Sequence, residues 1–215
     1  MNTYVYIDGF NLYYNAVRNT PYKWLDLYGL SVNMFPKNDI LKVKYFTAEV
    51  RSFIDTKQLF RQKIYIKALL AYHPDKIEVY KGHFTTHWKK YRIARKQEEN
   101  AEKDATEQSI WVIKTEEKGS DVNLAVHLLN DARLDAFDAA IIFSNDSDLT
   151  EALKIVKEDM NKVIGLVNPN KKSRCCAPLN QFCSFHGKLT NNLLNNNQLP
   201  AQIPGTNLYK PPEWC

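Results

Sequence analysis

Glycine is scarce in this chain, seven residues in 215. None are arranged as the Gly-x-Gly-x-x-Gly turn of a dinucleotide fold or the Gly-x4-Gly-Lys-Ser/Thr loop of a nucleoside triphosphatase. A phosphate cradled by glycine-rich backbone is therefore excluded. Long apolar runs are missing too. No stretch nears the roughly 20 residues that a membrane helix requires, and the first residues enter a strand without a basic and apolar leader, so a cytoplasmic protein with no membrane partner is expected. Cysteine is sparse and one-sided: Cys175, Cys176, Cys183 and Cys215 all fall in the last fifth of the chain, unlike the spread framework of a disulfide-rich secreted domain, so reduced thiols are expected. Cys175, Cys176, Cys183 and His186 offer zinc-type ligands without the Cys-x2-Cys pairs of structural zinc sites. His83 and His87, four apart, lack the glutamate of a zinc-protease helix. No charge sign dominates, the net value being +5. With 44% hydrophobic and 25% charged residues, the composition is that of a globular chain long enough for one core.

What is present is an alternation of strand and helix signals. Residues 3–7, 42–47, 77–80, 110–114, 139–143 and 163–167 read as strands, being short, apolar and rich in β-branched or aromatic residues. Between them, helices are expected over about 11–18, from a capping box at Asp55–Gln58 to about Tyr72, from near Asp121 to Ala132, and from a cap at Asp148 to about Glu158. Residues 22–36 read as a loop. Residues 82–107 break the rhythm and read as a basic, partly helical insertion. The alternation predicts an α/β fold with a mainly parallel sheet, a domain over residues 1–168, and a tail over 169–215 that is laid on the domain or disordered.

The chemistry-bearing residues gather at strand ends. Asp8 closes the first strand, with Asn11 just after it. Asp121 stands at a helix start, and Ser144, Asp146 and Asp148 follow the strand that ends at Phe143. Carboxyl ends of parallel strands are where ligands bind in such folds, and acids collected there repel one another unless a cation joins them. Hard cations such as Mg²⁺ take oxygen ligands and rely on one or two carboxylates plus a substrate phosphate. Phosphodiester hydrolysis is the reaction that such a centre suggests. Taken singly, Asp8 and Asp148 serve equally well as turn or cap residues. Asp131, Asp135 and Asp138 sit near a helix end and are expected on the exposed surface.

The segments Asp8-Gly9-Phe10-Asn11, Glu117-Lys118-Gly119-Ser120-Asp121-Val122-Asn123-Leu124-Ala125 and Ser144-Asn145-Asp146-Ser147-Asp148-Leu149 resemble, in order, the motifs of the NYN domain (DUF88, LabA-like), a branch of the PIN-like ribonuclease superfamily. The resemblance spans about residues 3–167. It implies a PIN-like three-layer α/β/α sandwich, an Mg²⁺ or Mn²⁺ centre held by Asp8, Asp121 and Asp146 with Asp148 assisting, roles for Asn11 and Ser144 in orienting water or phosphate, and RNA as the polymer cut, leaving 5′-phosphate and 3′-hydroxyl ends.

Five cations fall between Lys89 and Lys96 with no acid among them. Trp88 and Tyr91, interleaved with Lys89, Lys90, Arg92 and Arg95, are the pattern that stacks unpaired bases while cations meet phosphates, so single-stranded RNA is the partner they suggest. An amphipathic helix with its aromatics turned inward is the competing reading. Lys118 is read either as a phosphate contact or as a plain exposed lysine. Two other functions stay open: a non-catalytic RNA- or protein-binding module, and a small-molecule hydroxylase of the kind attributed to some NYN-like chains that act on pyridines. A haloacid-dehalogenase-type phosphatase requires a second Asp where this chain has Phe10. The oligomeric state, with a homo-oligomer among the options, is not set by the sequence.

Overall fold

The computed structural model of the chain describes residues 1–50, 57–93, 109–170 and 173–214. Seven strands, β1 (Asn2–Asp8), β2 (Asp39–Ala48), β3 (Ile77–Arg92), β4 (Ser109–Lys118), β5 (Ala139–Phe143), β6 (Val163–Val167) and β7 (Phe185–Gly187), form one sheet in the order β4-β3-β2-β1-β5-β6-β7. Every neighbouring pair is parallel except β3 with β4. The α-helices are α1 (Gly9–Leu12), α2 (Leu27–Met34), α3 (Gln58–Tyr72), α4 (Ser120–Arg133), α5 (Thr150–Glu158), α6 (Ala177–Asn180) and α7 (Asn191–Asn196).

Side chains alternate across a strand, so each central strand feeds two cores. Val5, Ile7, Val43, Tyr45, Ile141 and Phe143 face one layer, where they meet Leu27 and Leu30 of α2, Leu69 of α3 and Leu194 of α7. Tyr6, Phe46, Ile142 and Leu166 face the other, against Leu124 and Leu128 of α4, Leu153 and Val156 of α5 and Leu179 of α6. All five residues of β5 are buried, as a strand covered on both faces requires. The expected three-layer α/β/α sandwich is present. Its strand order runs outward from β1 in one direction through β2 and β3, and from β5 through β6 and β7 in the other. A crevice therefore opens beyond the carboxyl ends of β1 and β5, the switch point of a doubly wound sheet.

Four local expectations are corrected. The helix expected over residues 11–18 starts at Gly9 and turns after Leu12 into a π-helix over Tyr13–Val17. Residues 22–36 are not all loop, because α2 lies within them, capped by the Asp26 carboxylate, which accepts from Gly29 N at 3.0 Å. Residues 82–92, expected as the start of a basic, partly helical insertion, are strand: they prolong β3 to 16 residues, and 83–92 pair with β4 as a hairpin arm, while 94–108 lie outside the described residues. Asp131 is buried instead of exposed. The capping-box residues Asp55 and Thr56 also lie outside the described residues. Beyond residue 168, β7 extends the sheet and Leu179, Leu189, Leu194, Leu199 and Ile203 enter the cores. No helix among the described residues is long and apolar enough to cross a membrane.

Candidate acidic site at the carboxyl edge

Asp8 is the last residue of β1 and the N-cap of α1; its Oδ1 accepts from Asn11 N at 2.9 Å. Gly9 follows because a Cβ there would meet the carbonyl oxygen of Phe46 at 2.7 Å, so only glycine lets the chain turn so close to β2. Across the switch point, Ser144 is fully buried. Its Oγ donates to Asp8 Oδ2 at 3.0 Å and accepts from Asp146 N at 3.2 Å, joining the acid of β1 to the loop after β5. Asp146 in turn caps the short 3₁₀ turn Ser147–Leu149 by accepting from Asp148 N at 3.0 Å. The cap expected of Asp148 thus falls to Asp146, and no side chain caps α5.

Asp121 arrives from a third segment. Gly119 adopts φ +94, a left-handed conformation that L side chains rarely adopt, and this starts α4 with Asp121 in its first turn. Asp8, Asn11, Asp121 and Asp146 line one open cleft of about 280 Å³ together with Phe10, Tyr14, Phe84 and Glu117. Ser144 lies beneath it, and Asp148 is exposed.

The electrostatics are those of crowded anions. Burial holds the Asp8 carboxyl above its usual range, against the hydrogen bonds from Asn11 and Ser144 that act the other way. Burial, then the charges of Asp8, Asp146, Glu117 and Asp148, push Asp121 up to about 6. All side-chain donors in this set are oxygens, which suits a hard divalent ion. Among the described residues no three His, Cys, Asp or Glu side chains form a ready-made metal cage. Ser120 Oγ, buried beside Asp121, has no hydrogen-bond partner among the described residues.

Sequence reasoning missed Glu117, Phe10, Tyr14 and Phe84 as lining residues. Glu117 reaches the cleft because β3 and β4 pair it opposite Phe84, a long-range register that no local pattern encodes. Phe84 packs edge-on against Phe10, with centroids at 5.7 Å. The expected RNA-binding residues Trp88, Lys89, Lys90, Tyr91 and Arg92 lie on the exposed arm, Lys118 is exposed at its base, and Arg95 lies outside the described residues. Trp88 is 66% exposed, which removes the inward-packed helix. In the tail, Cys175 Sγ lies 3.8 Å from His186 Nδ1, and Cys175, Cys176 and Cys183 are free thiols.

A doubly wound sheet with acids at its switch point places the chain among the α/β proteins whose ligands bind beyond the carboxyl ends of the strands. The family follows from the comparison with known proteins: the NYN domain model matches residues 2–186, and the chain belongs to that family. It is also 30% identical, over all of its length and 75% of the relative's, to 6-hydroxy-3-succinoylpyridine 3-monooxygenase HspA of Pseudomonas putida. A crystal structure of a protein of unknown function from Vibrio parahaemolyticus shares the fold, with a TM-score of 0.50 at 17% identity over 89% of this chain and 94% of that one.

Proposed function

We propose that this chain is a metal-dependent ribonuclease that hydrolyses phosphodiester bonds in single-stranded RNA. The observation that carries the reading is the convergence of Asp8, Asp121 and Asp146, from three chain segments, on one cleft at the switch point, where burial and then the neighbouring charges raise Asp121. In this reading Asp8, Asp121 and Asp146 would contribute oxygens to Mg²⁺ or Mn²⁺, with waters and substrate oxygens completing the shell, and Asp148 and Glu117 add negative charge around them. When bound, the ion supplies positive charge for the phosphoryl oxygens and eases deprotonation of water. The chain's own residues do the positioning. Ser144 fixes the rotamer of Asp8 and the path of the Asp146 loop. The Asn11 side chain, held by Asn15 Nδ2 at 3.2 Å, faces the cleft as a polar contact for phosphate. The NYN family membership supports the nuclease class and RNA as substrate.

The test is cleavage of an end-labelled single-stranded RNA with Mg²⁺ or Mn²⁺, with EDTA, and by Asp146→Asn. Cutting that stops with EDTA and falls about a hundredfold or more in the variant is expected, since metal-derived stabilisation amounts to several kcal/mol. Metal-independent cutting, or none by the parent chain, overturns the reading; RNA affinity without cutting makes the protein a binding module.

One observation favours a second reading. The relative from Pseudomonas putida is named for a pyridine monooxygenase, and a mainly apolar cavity of about 70 Å³, bordered by Gly9, Phe10, Tyr13, Tyr45, Tyr65 and Trp214, shares Phe10 and Tyr14 with the acidic cleft. Burial pushes the Tyr45 phenol up to about 12, so it stays a proton donor toward a ring substituent. Flavin absorbance in the purified protein together with oxygen-dependent turnover of a hydroxypyridine distinguishes this reading from the first.

A further inference from the structure

The arm formed by β3 and β4 has two unlike faces. Directly opposed residues of an antiparallel pair share a face, and faces alternate along each strand. One face carries the pairs His83/Lys118, Thr85/Glu116, His87/Lys114, Lys89/Val112 and Tyr91/Ile110. Its groups satisfy one another. Glu116 pairs with Lys114 and lies 3.6 Å from His87, while the ring of Tyr91 is covered by Lys89 at 5.6 Å and Lys114 at 5.9 Å.

The other face carries Phe84/Glu117, Thr86/Thr115, Trp88/Ile113, Lys90/Trp111 and Arg92/Ser109. It begins inside the acidic cleft, which Phe84 and Glu117 line, and runs outward for about 27 Å at roughly 3.4 Å per residue. Past Glu117 it holds no carboxylate. Trp88, Trp111 and Ile113 stand 66%, 63% and 57% exposed. Among the described residues neither tryptophan has a ring or cation–π contact, and Lys90 has no ion pair. Flat rings open to solvent, cations between them and a continuous path to an anion-crowded cleft are what an unpaired, base-bearing phosphodiester strand requires.

We propose that this face is a stacking track for single-stranded RNA. Bases lie on Trp88 and Trp111, phosphates meet Lys90 and Arg92, and Phe84 passes the strand to the acids. The proposal rests on the ribonuclease reading and extends it to the route by which the substrate enters. Of the residues expected to bind RNA, it selects Trp88, Lys90 and Arg92, adds Trp111 and Ile113, and leaves Lys89, Tyr91 and Lys118 on the far face.

Binding of a fluorescein-labelled oligouridine about twelve nucleotides long, within the span of known single-strand sites, is measured by anisotropy on the full chain in EDTA, so that metal-dependent cutting cannot intervene. Trp88→Ala and Trp111→Ala are each expected to weaken binding about tenfold, in the range of one lost base stack. Their Phe versions should restore most of it, Lys90→Glu should reduce the salt dependence, and Tyr91→Ala on the far face should bind as the parent does. Unchanged affinity in both tryptophan variants overturns the track, as does equal loss on the two faces or equal affinity for a duplex of the same length. If sedimentation shows the tryptophan variants changing from dimer to monomer with RNA affinity intact, the face is an interface between copies and the proposal falls. Cutting is scored separately with Mg²⁺: a chain that binds on this face and never cuts keeps the track and loses the nuclease.

Discussion

Asp121 is where the cost of the site is concentrated in one side chain. Its carboxyl titrates near 3.8 in an unfolded chain and near 6 in the metal-free fold, with burial the larger cause and the neighbouring acids the rest. Between those pH values the folded chain keeps a proton that the unfolded chain has released, so stability falls as pH rises from about 4 through about 6, and the full cost persists above. Because the group is only half buried, solvent screening reduces the cost. Asp121→Asn is expected to raise the melting temperature of metal-free protein at about pH 7.5 by roughly 2–4 °C, the shift that about 1 kcal/mol produces at this chain length. At about pH 2.5, below both values, where both states hold the proton, it should give no gain. Calorimetry at the two pH values checks both statements, and equal shifts at both would mean that the carboxylate is not under the repulsion described. Asp8, Asn11, Asp121, Ser144 and Asp146 were each legible as site candidates because local turn chemistry places them at strand or helix ends. Glu117 was not, since its place depends on its partner across the hairpin.

At the scale of elements, strands buried on both faces are legible in the sequence and the arm is not. Residues 82–92 mix Thr85, Thr86, Trp88 and Tyr91, good strand formers, with a dense run of cations that suggests a solvated helix; pairing with β4, from beyond residue 108, decides for strand. α2 is not legible because its polar and apolar positions are exchanged, with Ser31 buried and Val32 exposed, so no helical period marks it. The contact between α4 and the sheet was also unreadable. Asp131 of α4 reaches Lys44 of β2 at 2.7 Å and accepts from the Tyr6 hydroxyl of β1 at 2.6 Å, while Glu78 of β3 lies 3.6 Å from the same lysine. Burial, then this carboxylate, push the Tyr6 phenol far up, so it remains a donor. Removing one partner of a buried pair strands the other. Asp131→Ala is therefore expected to destabilise the chain by about 3–5 kcal/mol, and Lys44→Met with Asp131→Leu to recover most of that loss, in denaturant unfolding. A double variant no better than the single would show that the network contributes more than charge pairing.

For the whole molecule, the switch point does more than open a crevice. It brings together two halves of the sheet whose acids come from β1, from the start of α4 and from the loop after β5. An ion shared by those carboxylates ties three distant chain segments, so binding should be visible as stability. At about a hundred times the dissociation constant, a ligand specific for the folded state adds about 2.7 kcal/mol, which for this length is roughly 5–10 °C in melting temperature. Mn²⁺ is expected to produce such a rise in the parent chain near neutral pH, and EDTA to reverse it. Asp8→Asn is the informative control. Its amide oxygen can still accept from Asn11 N and its NH₂ can donate to Ser144 Oγ, replacing the bonds that Asp8 makes, so the fold should persist while the ion loses a charged ligand. The variant should melt at or above the metal-free parent and respond little to Mn²⁺. Hydrogen exchange should localise the protection given by the ion to residues 8–11, 119–123 and 144–149, leaving the outer arm unchanged. A Mn²⁺-dependent rise of equal size in Asp8→Asn, or protection elsewhere in the sheet, would place the ion outside the crevice and separate the acids at the switch point from the chemistry proposed for them.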